Sequence, residues 1–276
     1  MTAQPRSQDR GFALLLVLWT MVLLALLTTR ITASGRTEAQ VAANLRDGAG
    51  AEMAADAAVH EAILYLLAGG QGWTPSGYRR VAAAGGAMGS PGVSVTVGIE
   101  NLGGRVNLNA APQDMLRALL DALGVEPNRA ATLAAAILDW RTPGQRPRPN
   151  GAKAPQYQAA HRGYGPPGAP FRNVDELGDV LGMTPALLAL LRPHLTIWGG
   201  GAYPDPTLAD SVVLAAVRML GRDAPPPGGS GTDALVVAVT AEAVGPMGGR
   251  FERYAVVEII PDPHAKPWRI LEWTEP

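Results

Sequence analysis

Cysteine is absent from the 276-residue chain, which excludes a disulfide framework, thiol catalysis and any cysteine-built metal site. An oxidising compartment permits disulfides without requiring them, so the absence assigns no compartment. An excess of one charge is lacking too. Lys and Arg number 23 against 24 Asp and Glu, a net charge of -1, and such a balance gives no overall pull toward nucleic acid or anionic lipid. Enzyme signatures are missing: there is no G-x-S-x-G elbow, phosphate loop or dinucleotide fingerprint. His60-Glu61 opens like a zinc-protease motif, but Leu64 stands where its second histidine is required. His60, His161, His194 and His264 share no ligand spacing, and Asp205, Asp210, Glu258 and Asp262 are scattered. Neither catalysis nor a cofactor is expected from these residues.

What the chain does have, near its start, is a long apolar run. Between Arg10 and Arg30, Phe12 to Thr29 is eighteen residues without a charge. At the helical rise this spans ~27 Å, close to the ~30 Å hydrocarbon core of a bilayer. Amides in lipid must bond within their own segment, so the run is expected to be a helix. Arg6 and Arg10 precede it with only Asp9 opposing them, which orients the N-terminus to the cytoplasm and everything after Arg30 outside. Ile31-Thr32-Ala33-Ser34 matches a signal-peptide cleavage site poorly. A plain signal anchor fits the hydropathy as well as any more specialised reading.

Helical character continues past the run. Val59, Ile63, Leu66 and Leu67 fall at the spacing of one buried face, so Thr37 to Leu67 extends the helix into water. Gly48 and Gly50 should loosen its middle, and Gly69-Gly70 should end it. Residues 69–92 read as glycine-rich loop. Val93 to Ile99 alternates like a strand, and Gly103-Gly104 turn it into Arg105 to Asn109, which predicts a hairpin over 93–109. Helices follow, one from Pro112 with the stripe Met115, Leu116, Leu119, Leu120 and Leu123, and a second capped by Asn128. Thr142 to Pro170 reads as a long loop. Asn173 and Thr184 should cap two more helices, Val174 to Leu181 and Ala186 to Leu191, and residues 194–198 read as a strand. Leu208 to Leu220 is a further helix. Three strands close the chain, at 234–243, 250–260 and 268–273, and they should join the early hairpin in one antiparallel sheet laid on the stalk helix.

Two stretches carry a resemblance. Gly11-Phe12, where the basic leader meets GFALLLVLWTMVLLALL, resembles the border at which a peptidase trims type IV prepilins after the glycine and the new N-terminus is methylated. The stretch is most similar to the type II secretion minor pseudopilin K family. Leu16 stands at the fifth mature position, where most pilin-like proteins carry glutamate; K-type subunits share that departure. The phrase VNLNAAPQDMLRALLDALGV is similar to the same family, whose heads carry an NLN-P segment leading into inserted helices.

The phrase also resembles the helix-hairpin-helix module of DNA receptors, and the echo of LLDALGVEP (119–127) in LGDVLGMTP (177–185) fits a repeated hairpin. Both copies, Gly124-Val125-Glu126 and Gly182-Met183-Thr184, lack the second glycine of that motif. Glu126 sets a negative charge where phosphate would lie, and only Arg129 and Arg141 are near. Helical packing without nucleic acid is the expectation.

The resemblance implies an α+β fold: a pilin-like long N-terminal helix packed on an antiparallel sheet, with an inserted all-α domain of SAM-like or helix-hairpin-helix-like type. It divides the chain into a leader (1–11), a transmembrane and filament-core helix (12–35), a first part of the head (36–109), the inserted domain (110–192) and a second part of the head (193–276). Gly11 and Phe12 become the processing site and Leu16 a position on the assembly helix. The implied role is a non-enzymatic subunit at the tip of the type II secretion pseudopilus, anchored in the inner membrane with its C-terminal domain in the periplasm. The implied partners are minor pseudopilins I and J, the prepilin peptidase and the inner-membrane secretion platform. A type IV pilus minor pilin would share the processing.

K-type heads also carry an acidic calcium-binding segment after an aspartate-tryptophan pair. Asp139-Trp140 is present here, but no carboxylate follows before Asp175. The loop at 144–152 cannot supply the several charged oxygens that calcium takes. Asp139 then reads as a lone helix-end carboxylate, and Arg146, Arg148 and Lys153 as solvated surface. Residues 199–210 match nothing in the family.

Overall fold

The computed structural model describes residues 8–69, 78–83, 92–199, 201–222, 235–260 and 266–275. One helix, α1 (Gln8–Leu67), runs for 60 residues through both the apolar run and the stalk. Gly48 and Gly50 do not interrupt it. Each costs about 1 kcal/mol of helix propensity, and packing of the stalk on a sheet outweighs that cost. Gly69 ends the helix as expected, with φ +85° and its N–H bonded to the Leu66 carbonyl.

Among the described residues the sheet has five antiparallel strands in the order β1 (Tyr78–Ala83), β2 (Ser94–Asn101), β5 (Leu235–Val244), β6 (Arg250–Ile259) and β7 (Trp268–Thr274). Val93, Val95, Val97 and Ile99 turn to α1 together with Val237, Val239, Ala241 and Ala243. From the helix they meet Ala51, Ala54, Ala55, Ala58, Val59, Ala62, Ile63 and Leu66. The alanines let the helix backbone lie close to the strands. Val59, Ile63 and Leu66 each contribute roughly 1.5–3 kcal/mol by leaving water. The other sheet face is smaller: Leu102, Val236, Ala238 and Val256 are buried there, with Trp198, Tyr254 and Leu271 packed against them.

Between β2 and β5 the chain leaves the sheet. It forms β3 (Val106–Asn107), α2 (Gln113–Ala122), α3 (Pro127–Arg141), α4 (Ala154–Ala159), a 3-10 turn at Val174–Asp179, α5 (Pro185–Leu191), β4 (Leu195–Thr196) and α6 (Ser211–Met219). These helices enclose their own core, in which Leu108, Met115, Leu119, Leu133, Ile137, Tyr157 and Leu177 are almost wholly buried.

Several expectations change. The hairpin over 93–109 does not form: β3 pairs in parallel with β4, and β2 takes β1 and β5 as neighbours. A 3-10 turn at Leu102–Gly104 diverts the chain between them, and a Cβ on Gly104 would collide with the Leu208 backbone. The glycine-rich stretch 69–92 contains the edge strand β1. An edge strand is paired on one side only, so its sequence pattern is weak. The loop 142–170 contains α4. Val174–Asp179 is a 3-10 turn rather than an α-helix, although Asn173 caps it as anticipated. Glu126, not Asn128, caps α3.

Candidate functional site

Among the described residues, the stretch from Phe12 to Arg30 of α1 is not packed against the rest of the molecule. Phe12–Arg30 has a mean hydropathy of 2.5, and none of it is buried. Phe12 is 71% exposed and Leu16 53% exposed, both outward-facing like Trp19 and Leu23. Gly11 lies within the helix just ahead of them. The hydroxyls in the run are satisfied internally: Thr20 donates to the Val17 carbonyl at 2.8 Å, Thr28 to Leu24 at 2.9 Å and Thr29 to Ala25 at 2.8 Å. Such back-bonding leaves a surface of hydrocarbon, suited to lipid or to other apolar helices. Exposed apolar side chains recur beyond the run at Val41, Leu45, Met53 and Leu64.

The second half of α1 is fixed to the sheet by two polar contacts that sequence reasoning missed. Asp47 is buried, and its carboxylate accepts the N–H of Gly249 at 2.7 Å and of Met247 at 3.2 Å. A Cβ on Gly245 would overlap that carboxylate, and one on Gly249 would sit 2.8 Å from it. The glycines flanking the β5–β6 turn therefore make room for an acid on the stalk. Below it, Arg253 on β6 donates from Nε to Asp56 Oδ1 at 2.6 Å and lies 3.5 Å from Glu52. Its guanidinium also covers the rings of Phe251 and Trp273. The Gly245-x-x-x-Gly249 spacing was a signal of close backbone approach, but nothing in it named the partner.

The NLN phrase forms a clasp. Asn109 donates from Nδ2 to the Phe171 carbonyl at 3.0 Å and accepts the Phe171 N–H at 2.8 Å, imitating a backbone pair across 62 residues. Asn107 accepts the Asn109 N–H at 2.8 Å and donates to the carbonyls of Trp198 and Gly199. Leu108 N–H bonds the Thr196 carbonyl at 2.8 Å. Arg141 at the end of α3 donates to the carbonyls of Leu108 and Ala111. The first residues of the helical excursion are thus tied to Arg141, to Phe171 and to the segment 196–199 that follows α5, and the start of α2 is left with Pro112 and no side-chain cap. Trp198 then anchors the excursion to the sheet by donating to Glu272 at 2.9 Å.

The two echoing turns do share geometry. Gly124 has φ +78° and Gly182 φ +89°, and Arg129 reaches from one to the carbonyl of the other at 3.5 Å. Their amides are already taken. Glu126 accepts the N–H groups of Asn128 at 3.0 Å and Arg129 at 2.9 Å, which hold its carboxyl below the ordinary value. Thr184 accepts from Leu187 at 3.3 Å. A phosphate would meet a carboxylate where it needs free donors, and Arg141 is spent on carbonyls, a state in which burial foremost and then Arg148 lower its pKa.

The remaining candidates are structural. His194 contacts Asp210 at 2.6 Å, and Asp210 caps α6 through Val212 and Val213. Burial works to raise the Asp210 pKa, yet the Val213 amide, His194 and the Val212 amide leave it lowered. Asp205 bonds Thr207, and Glu258 pairs with Arg269. His264 and Asp262 lie outside the described residues. Among the described residues no group of three or more His, Asp or Glu side chains could hold a metal ion.

The loop after α3 corrects two expectations. Arg146 is exposed as read, but Lys153 is only 3% exposed and Asp139 only 2%. Lys153 Nζ donates to the carbonyls of Asp139 and Thr142, both at 2.5 Å. Burial lowers the Lys153 pKa, Asp139 works to raise it, and Arg148 adds to the lowering. The Asp139 carboxylate accepts the Arg148 N–H at 3.0 Å and lies 3.5 Å from the Arg148 guanidinium. One carboxylate among such cations does not fit calcium, which takes six to eight oxygens. Beside the loop, Trp140 stacks on Phe171 at 6.2 Å, and Tyr157, its hydroxyl accepting from Leu181 at 2.9 Å, is pushed up to about 12 by burial.

With this arrangement in hand, known proteins place it. Residues 98–200, the span from the end of β2 to just past β4, match the family model for Type II secretion system (T2SS), protein K. That match takes in a little over a third of the chain and makes this stretch similar to protein K. The type II secretion system protein K of Klebsiella pneumoniae is 37% identical over 101 residues, a match covering 37% of this chain and 29% of that protein. A chain of the crystal structure of the GspK-GspI-GspJ complex from enterotoxigenic Escherichia coli has the same fold, with a TM-score of 0.57 at 17% identity. That match covers 87% of this chain and 98% of that chain.

Proposed function

We propose that this protein K homologue is a minor pseudopilin at the tip of the type II secretion pseudopilus, where it initiates or caps assembly and so supports export of folded proteins across the outer membrane. The observation that carries the proposal is the contrast along α1. An uncharged, wholly exposed apolar segment continues without a break into a stalk clothed by a sheet. Before assembly the segment holds the subunit in the inner membrane, with the sheet and helices in the periplasm. Trimming between Gly11 and Phe12 by the prepilin peptidase removes the basic leader and frees the helix to join a bundle of like helices. Leu16 offers no charge to a neighbour's new amine, which suits a subunit placed first. A head widened by the helical excursion would stop further subunits from stacking above it.

Minor pseudopilins I and J are the partners of this reading, supported by the place of the similar chain in the GspK-GspI-GspJ complex. The role is structural rather than enzymatic. Mass spectrometry of the membrane-extracted chain tests the processing: a mass beginning at Phe12 is expected when the peptidase is present, and a retained Met1 would remove the assignment. Co-purification of the full chain with I and J tests the assembly, and a chain that recovers neither would remove the tip role.

A further inference from the structure

The residues around Asp139 form a small cage of oxygens that faces a cation, and the chain fills it itself. Its inward oxygens are the Asp139 and Thr142 carbonyls and the Asp139 carboxylate. The Gly151 position is closed in so tightly that a Cβ there would overlap the carboxylate. Lys153 supplies two N–H donors to the two carbonyls. Arg148 supplies its own N–H and its guanidinium to the carboxylate, and reaches the Thr142 hydroxyl at 3.2 Å. The loop is closed further by Gly151 N–H on the Arg148 carbonyl at 2.8 Å and Gly168 N–H on the Trp140 carbonyl at 3.0 Å. Two fixed cations against one carboxylate would repel a divalent ion from this place.

We propose that Lys153, seconded by Arg148, is a built-in cation that orders the 139–153 loop and makes the head of this protein independent of calcium, in contrast to what its family resemblance implies. The buried ammonium does the organising work of a metal: it gathers backbone carbonyls separated by a turn and balances a buried carboxylate. It does so without a binding equilibrium, so the loop stays ordered at any calcium concentration. A buried lysine with two carbonyl acceptors is otherwise hard to account for, because its desolvation is costly unless its donors are used.

The test uses the full chain in detergent. Thermal unfolding of the wild type should be the same in excess EDTA and in millimolar calcium. A calcium-dependent rise above about 2 °C would reveal a site that binds the folded state and would overturn the proposal. Lys153→Met keeps the shape and removes the charge; it should lower the Tm by roughly 5 °C or more and expose the loop to subtilisin between 142 and 153. An unchanged Tm and cleavage pattern in that variant would equally overturn it. Should Lys153→Met fail to accumulate, Arg148→Gln gives the same reading with a smaller fall, and protection of its loop equal to wild type would count against the proposal.

Discussion

The two halves of α1 obey different rules although they are one uninterrupted helix. From Phe12 to Arg30 every described side chain faces outward, and the helix owes its form to its own backbone bonds and the solvent that surrounds it. From Asp47 to Leu66 one face is buried in alanine, valine and isoleucine against the sheet and is oriented by Asp47 and Arg253. A helix needs a partner for its apolar surface. The rear half finds its partner inside the chain; the front half must find one outside it. On the proposed reading, that difference would make the front half the assembly element and the rear half the mount for the head.

Substitution by the same residue in both halves tests this division most strongly. Leu23→Arg should cost about 3 kcal/mol of membrane insertion and move the protein from the carbonate-resistant membrane fraction to the soluble one. Met53→Arg, on the outward face of the stalk, should leave the stability of the extracted protein within about 0.5 kcal/mol of wild type, read from its thermal unfolding. Equal loss from both would mean that the halves are not distinct.

Within the rear half, Asp47→Ala strands the amides of the β5–β6 turn and should cost about 2 kcal/mol, read as a lowered Tm. Gly245→Val should destabilise comparably, by pressing a side chain onto the same carboxylate. In the helical excursion, Asn109→Ala leaves both backbone groups of Phe171 without their partner and should cost about 1–2 kcal/mol. Limited proteolysis should show new cleavage near 171 while the sheet remains resistant. The smallest effect belongs to Glu126. Its folded pKa lies below the ordinary 4.5, so its cap contributes fully above that value and is lost as pH falls through the folded one. Acid unfolding of Glu126→Gln should therefore depend less on pH in that window than that of the wild type.

The parts of this fold that were legible in the sequence are those written in local period. The apolar run, the Val59–Ile63–Leu66 face, the leucine stripe of α2 and the three closing strands all announce themselves within a few residues. The parts that were not legible depend on partners far along the chain. The β3–β4 pair is two residues long on each side, and it is held by Asn107 and Asn109 reaching across about ninety and sixty residues. Asp47 meets a turn 202 residues away. Lys153, in a loop dense with proline and glycine, has the composition of solvated surface, and only the fold brings the Asp139 and Thr142 carbonyls around it. The exposed apolar run was legible because an uncharged stretch of that length follows a simple local rule, whereas the clasp and the cage obey no short-range one.

Because the chain has no cysteine of its own, disulfide crosslinking from single introduced thiols along α1 reads the central claim directly in cells that also make cysteine-bearing I and J. Thiols at Leu16, Leu23, Leu45 and Met53 are predicted to crosslink to a partner helix, and a thiol at Val59, buried on the sheet, is predicted not to. Recovery of I and J with this protein but without a crosslink from any outward position of α1 would contradict the account.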